Sequence, residues 1–392
     1  MTSQPSERIH YLDAARAFAL LLGILFHASI SYYPFPIPWV VSDSSGSLFL
    51  AMVGLISHSF RMELFFLLAG FFSHMIFHKK GAKPFIQTRL IRIGIPFVIG
   101  WGIARFLIVA AGFYVWAPPE ENMNFMKSFV WAAYSMVNRN EGFLTGTHLW
   151  FLYYLLLITG SVLLLRFLFL RLIDKQGTIR TQIDSTLERG SRSPFFFVAL
   201  VLISFIPLWF MSEWSIQTPD QSLIPFMPTL LLYAFGFSLG WLLHRNKQLL
   251  PILTKLSWKR GLLILFSILV VMALAEQQFS AGGVQYKVIK FIHNLAYCTM
   301  MWGLVFGTIG LFRKYFSQPK SWVRYISDSS YWLYLAHLPI VMWLQVLTSK
   351  WHLHWTVEFS FIIIATMLPL FLSYHFLVRG TWIGQLLNGK KH

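Results

Sequence analysis

The sequence predicts an all-α membrane protein with about ten transmembrane helices and with both termini in the cytoplasm. Hydrophobic residues make up 56% of the 392 residues and charged residues only 12%, whereas about a quarter of the residues in soluble domains are charged. Mean hydropathy is +0.59. Ten apolar runs are each long enough to cross roughly 30 Å of hydrocarbon as a helix.

The ten runs follow one another along a single membrane domain that we take to cover residues 1–392. Backbone groups in lipid must pair within their own segment, and the runs lack the alternation of barrel strands, so helices are expected. No cleavage pattern follows the first run, and it is expected to remain a permanent span. The runs cover residues 12–32, 47–77, 88–113, 149–170, 195–212, 226–245, 259–276, 290–312, 329–348 and 358–378.

The basic residues predict the orientation. Counted alternately, the connections on one side hold 24 Lys and Arg, and the other side holds five, which are Lys127, Arg139, Lys287, Lys290 and Lys350. The richer side is expected to be cytoplasmic, and only an even number of spans keeps this segregation. The net charge of +17 therefore reflects contact with membrane lipids, and no nucleic-acid partner is expected.

Two connections are longer than the rest. The cytoplasmic stretch 171–193 is rich in charge, Ser and Thr, which is typical of a loop. The outer stretch 114–147 contains an amphipathic run, 122–137, that is predicted to lie along the membrane surface and to shape an acceptor site. A segment that only packs on the outer ends of helices fits this run equally well.

The first span carries ionisable residues at a suggestive spacing. Arg16 and His27 are eleven residues apart, which on a helix leaves them about 20° from the same face and about 16 Å apart along the axis. Ionisable groups within a span are costly and often functional. The alternative is that Asp13 and Arg16 form an interfacial ion pair and that His27 is a hydrogen-bonded core residue.

The second span carries His58, Arg61 and Glu63. His58 and Arg61 are neighbours at i, i+3. Glu63 falls near mid-depth, where a carboxylate is most costly, so it needs a histidine or arginine partner from another helix. A purely structural Glu–Arg or Glu–His pair is the alternative to a role in catalysis.

Further candidates lie at the ends of other spans. His148 opens the fourth span from outside and His337 lies in the ninth, two residues before Pro339. Both are candidate catalytic residues, although either fits an interfacial or kink-associated core histidine. Arg89 and Arg92 are expected to face a similar direction at i, i+3 and to suit a phosphate, while positive-inside anchoring also explains them.

The sequence predicts neither a metal site nor a permanently bound cofactor. Cys298 is the only cysteine, which excludes an intrachain disulfide and a thiolate cluster for zinc. The usual phosphate-loop, dinucleotide-binding and zinc-protease patterns do not occur.

Five blocks of sequence, in this order, resemble the acyltransferase family 3 membrane enzymes. Within that family they are most similar to the glucan-biosynthesis C branch, which succinylates osmoregulated periplasmic glucans. The blocks are RIHYLDAARAFALLLGILFHASISY (8–32), HSFRMELFFLLAGFFS (58–73), TRLIRIGIPF (88–97), THLWFL (147–152) and SYWLYLAHLPI (330–340).

The resemblance implies an enzyme of the bacterial inner membrane. Its donor would be a cytoplasmic acyl-CoA, succinyl-CoA first and acetyl-CoA next, and its acceptor a hydroxyl of a periplasmic glucan or other envelope carbohydrate. Arg16 and His27 match the family's Arg–x10–His pair. Arg89 and Arg92 match the Arg–x–x–Arg pair thought to hold the nucleotide end of the CoA, and Glu63 matches an acidic position of the wider family.

These residues suggest a hypothetical mechanism. His27 would act as the general base on the acceptor hydroxyl, and Glu63 would orient or stabilise its imidazole. His58, Arg61 or His148 would donate to the developing oxyanion. Direct transfer and an acyl-histidine intermediate both remain open.

Two other classes of function compete with the enzyme. A transporter or permease also carries Arg, Glu and His inside its spans, although the paired broken helices of matching halves are not found in this sequence. A membrane scaffold without chemistry is the third class.

Overall fold

The computed structural model describes residues 9–138, 145–280 and 282–389, and within these ranges every regular element is helical. Part of the outer connection and four basic residues used for the orientation lie outside the described residues, namely Arg8, Arg139, Lys390 and Lys391. The helices are α1 His10–Ser29, α2 Leu48–Lys80, α3 Ala82–Arg89, α4 Ile95–Trp116, α5 Phe125–Asn138, α6 Trp150–Leu168, α7 Thr178–Ser191, α8 Pro194–Trp209, α9 Met227–Arg245, α10 Leu249–Leu253, α11 Trp258–Leu274, α12 Gln277–Ser280, α13 Gly283–Tyr315, α14 Ser321–Thr348, α15 Trp355–Ser373 and α16 Trp382–Asn388.

Short stretches of other helical geometry extend or join these elements. Turns of 3-10 helix cover Ile30–Tyr32, Pro119–Glu121 and Thr147–Leu149, and π-helical turns cover Leu90–Gly94, Phe169–Ile173 and Tyr374–Val378. The first π turn joins α3 to α4 in one continuous span, Ala82–Trp116.

The predicted fold class is confirmed, with nine to ten spans. In the described part of the chain, nine helical segments are long and apolar enough to cross a membrane. The remaining predicted span, 195–212, is the fifth along the chain and corresponds to α8, whose 16 residues cover only about 24 Å. It reaches the length of a span only together with α7, and the two helices are bent by 112°.

The predicted loop 171–193 contains the helix α7. Gly177, with φ at +80°, turns the chain into this helix, and the Asp174 carboxylate accepts from the backbone N–H groups of Ile179 and Arg180. Burial alone raises the pKa of Asp174, but these bonds and the Arg180 side chain hold it below its ordinary value. The polar composition therefore marks a capped surface helix in this stretch.

Helices α2 and α9 form the closest packing in the core. A Cβ added to Gly70 would lie 1.8 Å from the carbonyl oxygen of Phe237, and one added to Gly240 would lie 1.8 Å from that of Leu67. Only glycine permits this backbone-to-backbone approach. The two helices are thus held in one register.

Helix α1 lies between α2 and α14 and runs antiparallel to α2. Near its start the Arg16 guanidinium lies 5.7 Å from the ring of Phe72, and near its end Phe26 lies 5.3 Å from the ring of His58. We call the end where α1 begins and α2 finishes the basic end, and the opposite end the distal end.

The amphipathic run of the outer connection forms α5. Its Phe129 packs on Phe106 of α4, with ring centroids 5.6 Å apart, and stacks on Trp343 of α14 at 5.4 Å. These contacts are those that a segment packed on the ends of other helices would make.

Candidate functional site

Three histidines from distant parts of the chain converge at the distal end. His27 ends α1, His148 precedes α6 and His337 lies within α14. The ring of His337 stands between the other two, 5.3 Å from His27 and 5.1 Å from His148 between centroids. His148 and His337 are buried, while His27 is partly exposed. We call these residues the distal histidine cluster.

A proline explains how His148 is fixed. Pro339 lies inside α14 and has no N–H to give to the carbonyl of Leu335, four residues earlier. The Nε2 of His148 lies 3.3 Å from that carbonyl oxygen, and Tyr334 donates its hydroxyl to the carbonyl of His148 at 2.7 Å. The carbonyl that Pro339 leaves without an intrahelical partner thus holds the imidazole of His148 in place.

The hydrogen bonds determine which nitrogens carry protons in the neutral rings. A carbonyl oxygen only accepts, so Nε2 of His148 and Nδ1 of His337, which lies 2.8 Å from the carbonyl of Tyr334, must donate. The opposite nitrogens, Nδ1 of His148 and Nε2 of His337, are buried without a partner among the described residues. Each of these two buried nitrogens therefore has a lone pair that can accept a proton or a hydrogen bond.

A tryptophan and a glutamine that the sequence analysis missed hold His27. The indole of Trp39 stacks on the His27 ring at 5.8 Å with an interplanar angle of 14°. Its N–H donates to Gln345 at 2.9 Å, and the amide of Gln345 donates to the carbonyls of His27 and Ala28. A glutamine within an apolar span was the signal that could have revealed this contact.

Arg61 lies beside the distal histidine cluster with most of its donors free. Its guanidinium is buried over the ring of Phe26 at 4.7 Å, and its one hydrogen bond within the described residues, to the carbonyl of Leu22, is long at 3.5 Å. It interacts electrostatically with His27 and His337. An unneutralised guanidinium in this place can stabilise an oxyanion.

The connection between α8 and α9 folds over this end of the bundle. His58 pairs with Thr218 at 3.0 Å, and Gly146 donates to the carbonyl of Asp220 at 2.7 Å. Burial raises the pKa of the Asp220 carboxyl above its ordinary value. His58 is therefore a contact of the covering segment in addition to a neighbour of Arg61.

Arg105 positions the segment that carries His148. Its guanidinium donates to the hydroxyl of Thr145 at 2.7 Å, and Trp101 donates to the carbonyl of the same residue at 2.6 Å. Both donors lie on α4. Arg105 lies within the third predicted span, 88–113.

Glu63 does not join the distal histidine cluster. Its carboxylate is fully buried, and within residues 9–138, 145–280 and 282–389 neither oxygen has a hydrogen-bond partner. It lies against Gly236 of α9, where an added Cβ would be 1.9 Å from Oε1. The hypothesis that Glu63 orients His27 is therefore not supported by contact. The neighbouring ring of His27 is that of His337, because α14 faces α1 while α9 faces the other side of α2.

The arginines of the predicted donor site lie at the basic end. Arg16 pairs with Asp13 at 3.2 Å and remains partly exposed. Arg89 donates to the hydroxyl of Ser73 at 2.6 Å. Helix rise places these residues about 16 Å from the distal histidine cluster, measured along α1 from Arg16 to His27.

Arg89 and Arg92 face different partners, which corrects the expectation of a shared direction. Arg89 lies over the ring of Phe85 at 5.3 Å, whereas Arg92 packs so closely on Gly389 that an added Cβ would be 1.9 Å from Nη2. The π turn that contains Arg92 is the cause, because i→i+5 bonding spreads residues three apart over different faces. The two guanidiniums remain within electrostatic reach of each other.

Together, the fold and the site define a multi-pass helical membrane protein whose interior histidines are separated from terminal arginines by about half a bilayer. The profile of the acyltransferase 3 family, described as an acyltransferase domain, matches residues 9–375. The chain belongs to this family.

Curated relatives match over a shorter stretch. The glucans biosynthesis protein C of Escherichia coli strain K12 is 40% identical over 96 residues, which is 24% of this chain and 24% of that protein. The proteins of the same name from strains O1:K1 / APEC and O139:H28 match to the same extent. The matched region thus spans about a quarter of the length of these relatives. No solved structure matches it.

Proposed function

We propose that this protein is an O-acyltransferase that moves an acyl group from a cytoplasmic acyl-CoA to a hydroxyl of a periplasmic glucan or other envelope carbohydrate. Succinyl is the first candidate for the acyl group and acetyl the second, and the site of action is the bacterial inner membrane. One observation supports this most. Three imidazoles with unpartnered nitrogens lie at one end of α1, and arginines lie at its other end.

The distal histidine cluster supplies the proton chemistry. His27 accepts the proton of the acceptor hydroxyl, whose oxygen attacks the thioester carbonyl carbon. The lone pair on Nε2 of His337 lies beside His27 and takes the stabilising role that the sequence suggested for Glu63. The carbon–sulfur bond then breaks, and the CoA sulfur leaves with the proton held by His27.

Arg61 stabilises the charge that develops on the carbonyl oxygen. It is the buried cation next to the distal histidine cluster and has no carboxylate partner among the described residues. His148 is not suited to this role, because its N–H is occupied by the Leu335 carbonyl. Stabilisation of this kind is commonly the largest single contribution to catalysis.

Arg89 and Arg92 hold the phosphates of the donor. Neither guanidinium forms an ion pair with a described carboxylate, so the charge of both remains available to a ligand. Arginine binds phosphate through paired N–H donors. An extended thioester bound there directs its acyl end along α1 toward His27.

The test is acyl transfer by the purified protein in lipid nanodiscs. Radiolabelled succinyl-CoA and acetyl-CoA are supplied with a periplasmic glucan, and ester-linked label in the glucan is measured. His27→Ala is expected to lower kcat by about 10³-fold, in the range found for general bases. His375→Gln is the matched control, because His375 is exposed and distant in sequence from the site.

Retention of full activity by His27→Ala contradicts the mechanism. Absence of transfer from either donor, together with counterflow of the glucan in proteoliposomes, contradicts the enzyme and favours a transporter. Label that accumulates on the wild-type protein without acceptor identifies an acyl-histidine intermediate in place of direct transfer.

A further inference from the structure

A second group of three histidines lies at the basic end, and the mechanism above does not use it. His74 and His78 belong to α2, and His244 belongs to α9. The Nδ1 atoms of His74 and His244 are 2.7 Å apart, and the rings of His74 and His78 are 4.2 Å apart. We call these residues the basic-end histidine cluster.

Two arginines, Arg166 and Arg245, lie near this cluster, and Arg180 lies near Arg166. Arg180 pairs with Asp174 at 2.8 Å, and Arg245 pairs with Asp184 at 2.5 Å. Arg166 has neither an ion pair nor a hydrogen bond with the described part of the chain, and it repels both other arginines. Asp174 precedes α7 and Asp184 lies within it. These two carboxylates neutralise Arg180 and Arg245, and the charge of Arg166 remains without a counter-ion among the described residues.

Arg166 and the histidines face each other across a small aromatic patch. The guanidinium of Arg166 lies 4.9 Å from the ring of Phe77 and interacts electrostatically with His74 and His78. His78 is exposed at the mouth of this region. A ligand arriving from the basic end therefore meets an imidazole and a guanidinium first.

The cluster contains an unsatisfied polar atom. Nδ1 of His244 pairs with Nδ1 of His74, and Nε2 of His244 is buried with no partner in the part of the chain that the structure describes. Imidazole and guanidinium N–H groups are donors suited to an anion with several oxygens. Since both nearby carboxylates are already paired, the region lacks an internal anion to satisfy these donors.

This region is separate from the arginines already assigned to the donor. Arg89 lies on the ring of Phe85, the rings of Phe85 and Phe77 are 5.7 Å apart, and Arg166 lies on Phe77. Two aromatic rings thus separate the guanidinium of Arg89 from that of Arg166. One ligand could contact both guanidiniums only if it carried phosphates at two separate points.

We propose that Arg166, His78 and the His74–His244 pair form a second phosphate site, which binds a phosphate monoester. The proposal rests on the proposed function, because acyl-CoA carries a diphosphate and, on its ribose, a separate 3′-phosphate. Arg89 and Arg92 bind the diphosphate, and the second site binds the 3′-phosphate. Phosphatidic acid of the membrane is the other source of the same chemical group.

The test compares binding of CoA with binding of 3′-dephospho-CoA by calorimetry in nanodiscs of neutral lipid. In the wild-type protein, loss of the 3′-phosphate is expected to weaken binding roughly 10- to 100-fold, as for loss of charge-assisted hydrogen bonds. In Arg166→Gln and His244→Gln the two ligands are expected to bind equally. Arg171→Gln is the matched control, because Arg171 is an exposed arginine at the same end of the same span and lies on Phe167.

Each outcome decides the proposal. An undiminished preference for CoA in Arg166→Gln, or equal binding of both ligands by the wild type, overturns it. If addition of phosphatidic acid abolishes the preference in the wild type and Arg166→Gln removes this effect of the lipid, both ligands compete for one site and the proposal is supported. If Arg166→Gln changes only the response to phosphatidic acid, the site serves a lipid and the proposal for the donor is wrong.

The same measurements separate this inference from the proposed function. Binding of CoA with the expected preference, but without any acyl transfer, contradicts the acyltransferase reaction and retains the phosphate site. Acyl transfer at equal rates from succinyl-CoA and its 3′-dephospho form, at donor concentrations well below KM, retains the enzyme and rejects the site.

Discussion

The distal and basic-end histidine clusters each bring three imidazoles together, but different groups hold the rings. Backbone carbonyls of α14 fix His148 and His337, and these bonds leave bare lone pairs. At the basic end His74 and His244 bond to each other, and Arg166 and Arg245 surround them. The same side chain can thus be arranged to accept protons or to donate to an anion, according to its neighbours.

Substitution of Arg61 is expected to have the largest effect at the distal histidine cluster. Arg61→Gln should lower kcat by roughly 100- to 1,000-fold, because it removes the buried donor beside the reacting carbonyl. Steady-state transfer kinetics measure this effect, and a thermal unfolding midpoint checks that the variant is folded. A raised KM with normal kcat would instead place Arg61 in ground-state binding.

A matched pair of histidine substitutions tests the difference between the clusters directly. His337→Gln should lower kcat by about 100-fold with little change in KM, because an amide oxygen is far less basic than the imidazole lone pair that stabilises the protonated His27. His244→Gln should raise the KM for the donor by about 10-fold with little change in kcat, because it removes a binding contact. Equivalent effects of both substitutions on kcat would contradict the division of roles.

Glu63 lies on α2, between Arg61 beside the distal histidine cluster and His74 of the basic-end histidine cluster. It belongs to neither cluster. Gly236→Ala should destabilise the protein by about 1–3 kcal/mol, since the new methyl group would overlap the buried carboxylate. Glu63→Ala in the same protein should restore the thermal unfolding midpoint. If the double variant is as unstable as Gly236→Ala alone, the contact that limits α2–α9 packing is another one.

Pro339→Ala should have the smallest effect and is the most specific test of the distal anchor. The new N–H competes with His148 for the Leu335 carbonyl, so kcat should fall about five-fold, the equivalent of roughly 1 kcal/mol. The helix itself should not lose stability, because alanine is the better helix former. A loss of activity that follows a lower unfolding midpoint would point to disruption of the fold.

The sequence predicted the spans and the residues near the site better than it predicted their contacts. Length and hydropathy are properties of one segment, so the helices and the spacing of Arg16 and His27 could be read directly from the chain. His148 and His337 were recognised as candidates, and Pro339 was noted beside one of them. Pro339 frees the Leu335 carbonyl, and His148 bonds to it. This contact depends on how the turn before α6 packs against α14.

The remaining differences have physical causes that single-segment patterns do not contain. The π turn after Arg89 rotated Arg92 toward the C-terminal helix, whereas the i, i+3 rule assumed regular α geometry. Trp39 lies in a connection with no helical period, and its stacking on His27 depends on Gln345, more than 300 residues away in sequence. Because burial of a carboxylate is costly, the sequence predicted a histidine or arginine partner for Glu63. The structure instead places Gly236 beside it.

The close seam between α2 and α9 has a consequence for motion. Because the backbones touch at Gly70 and Gly240, a slide of either helix by one residue would drive a side chain into the opposite main chain. The α2–α9 pair is therefore rigid. It carries His58 and Arg61 at one end and His74 and His244 at the other. We therefore expect substrates to enter and leave through movements of α1, α14 and the connections around them, and a crosslink across the α2–α9 seam should be tolerated throughout turnover.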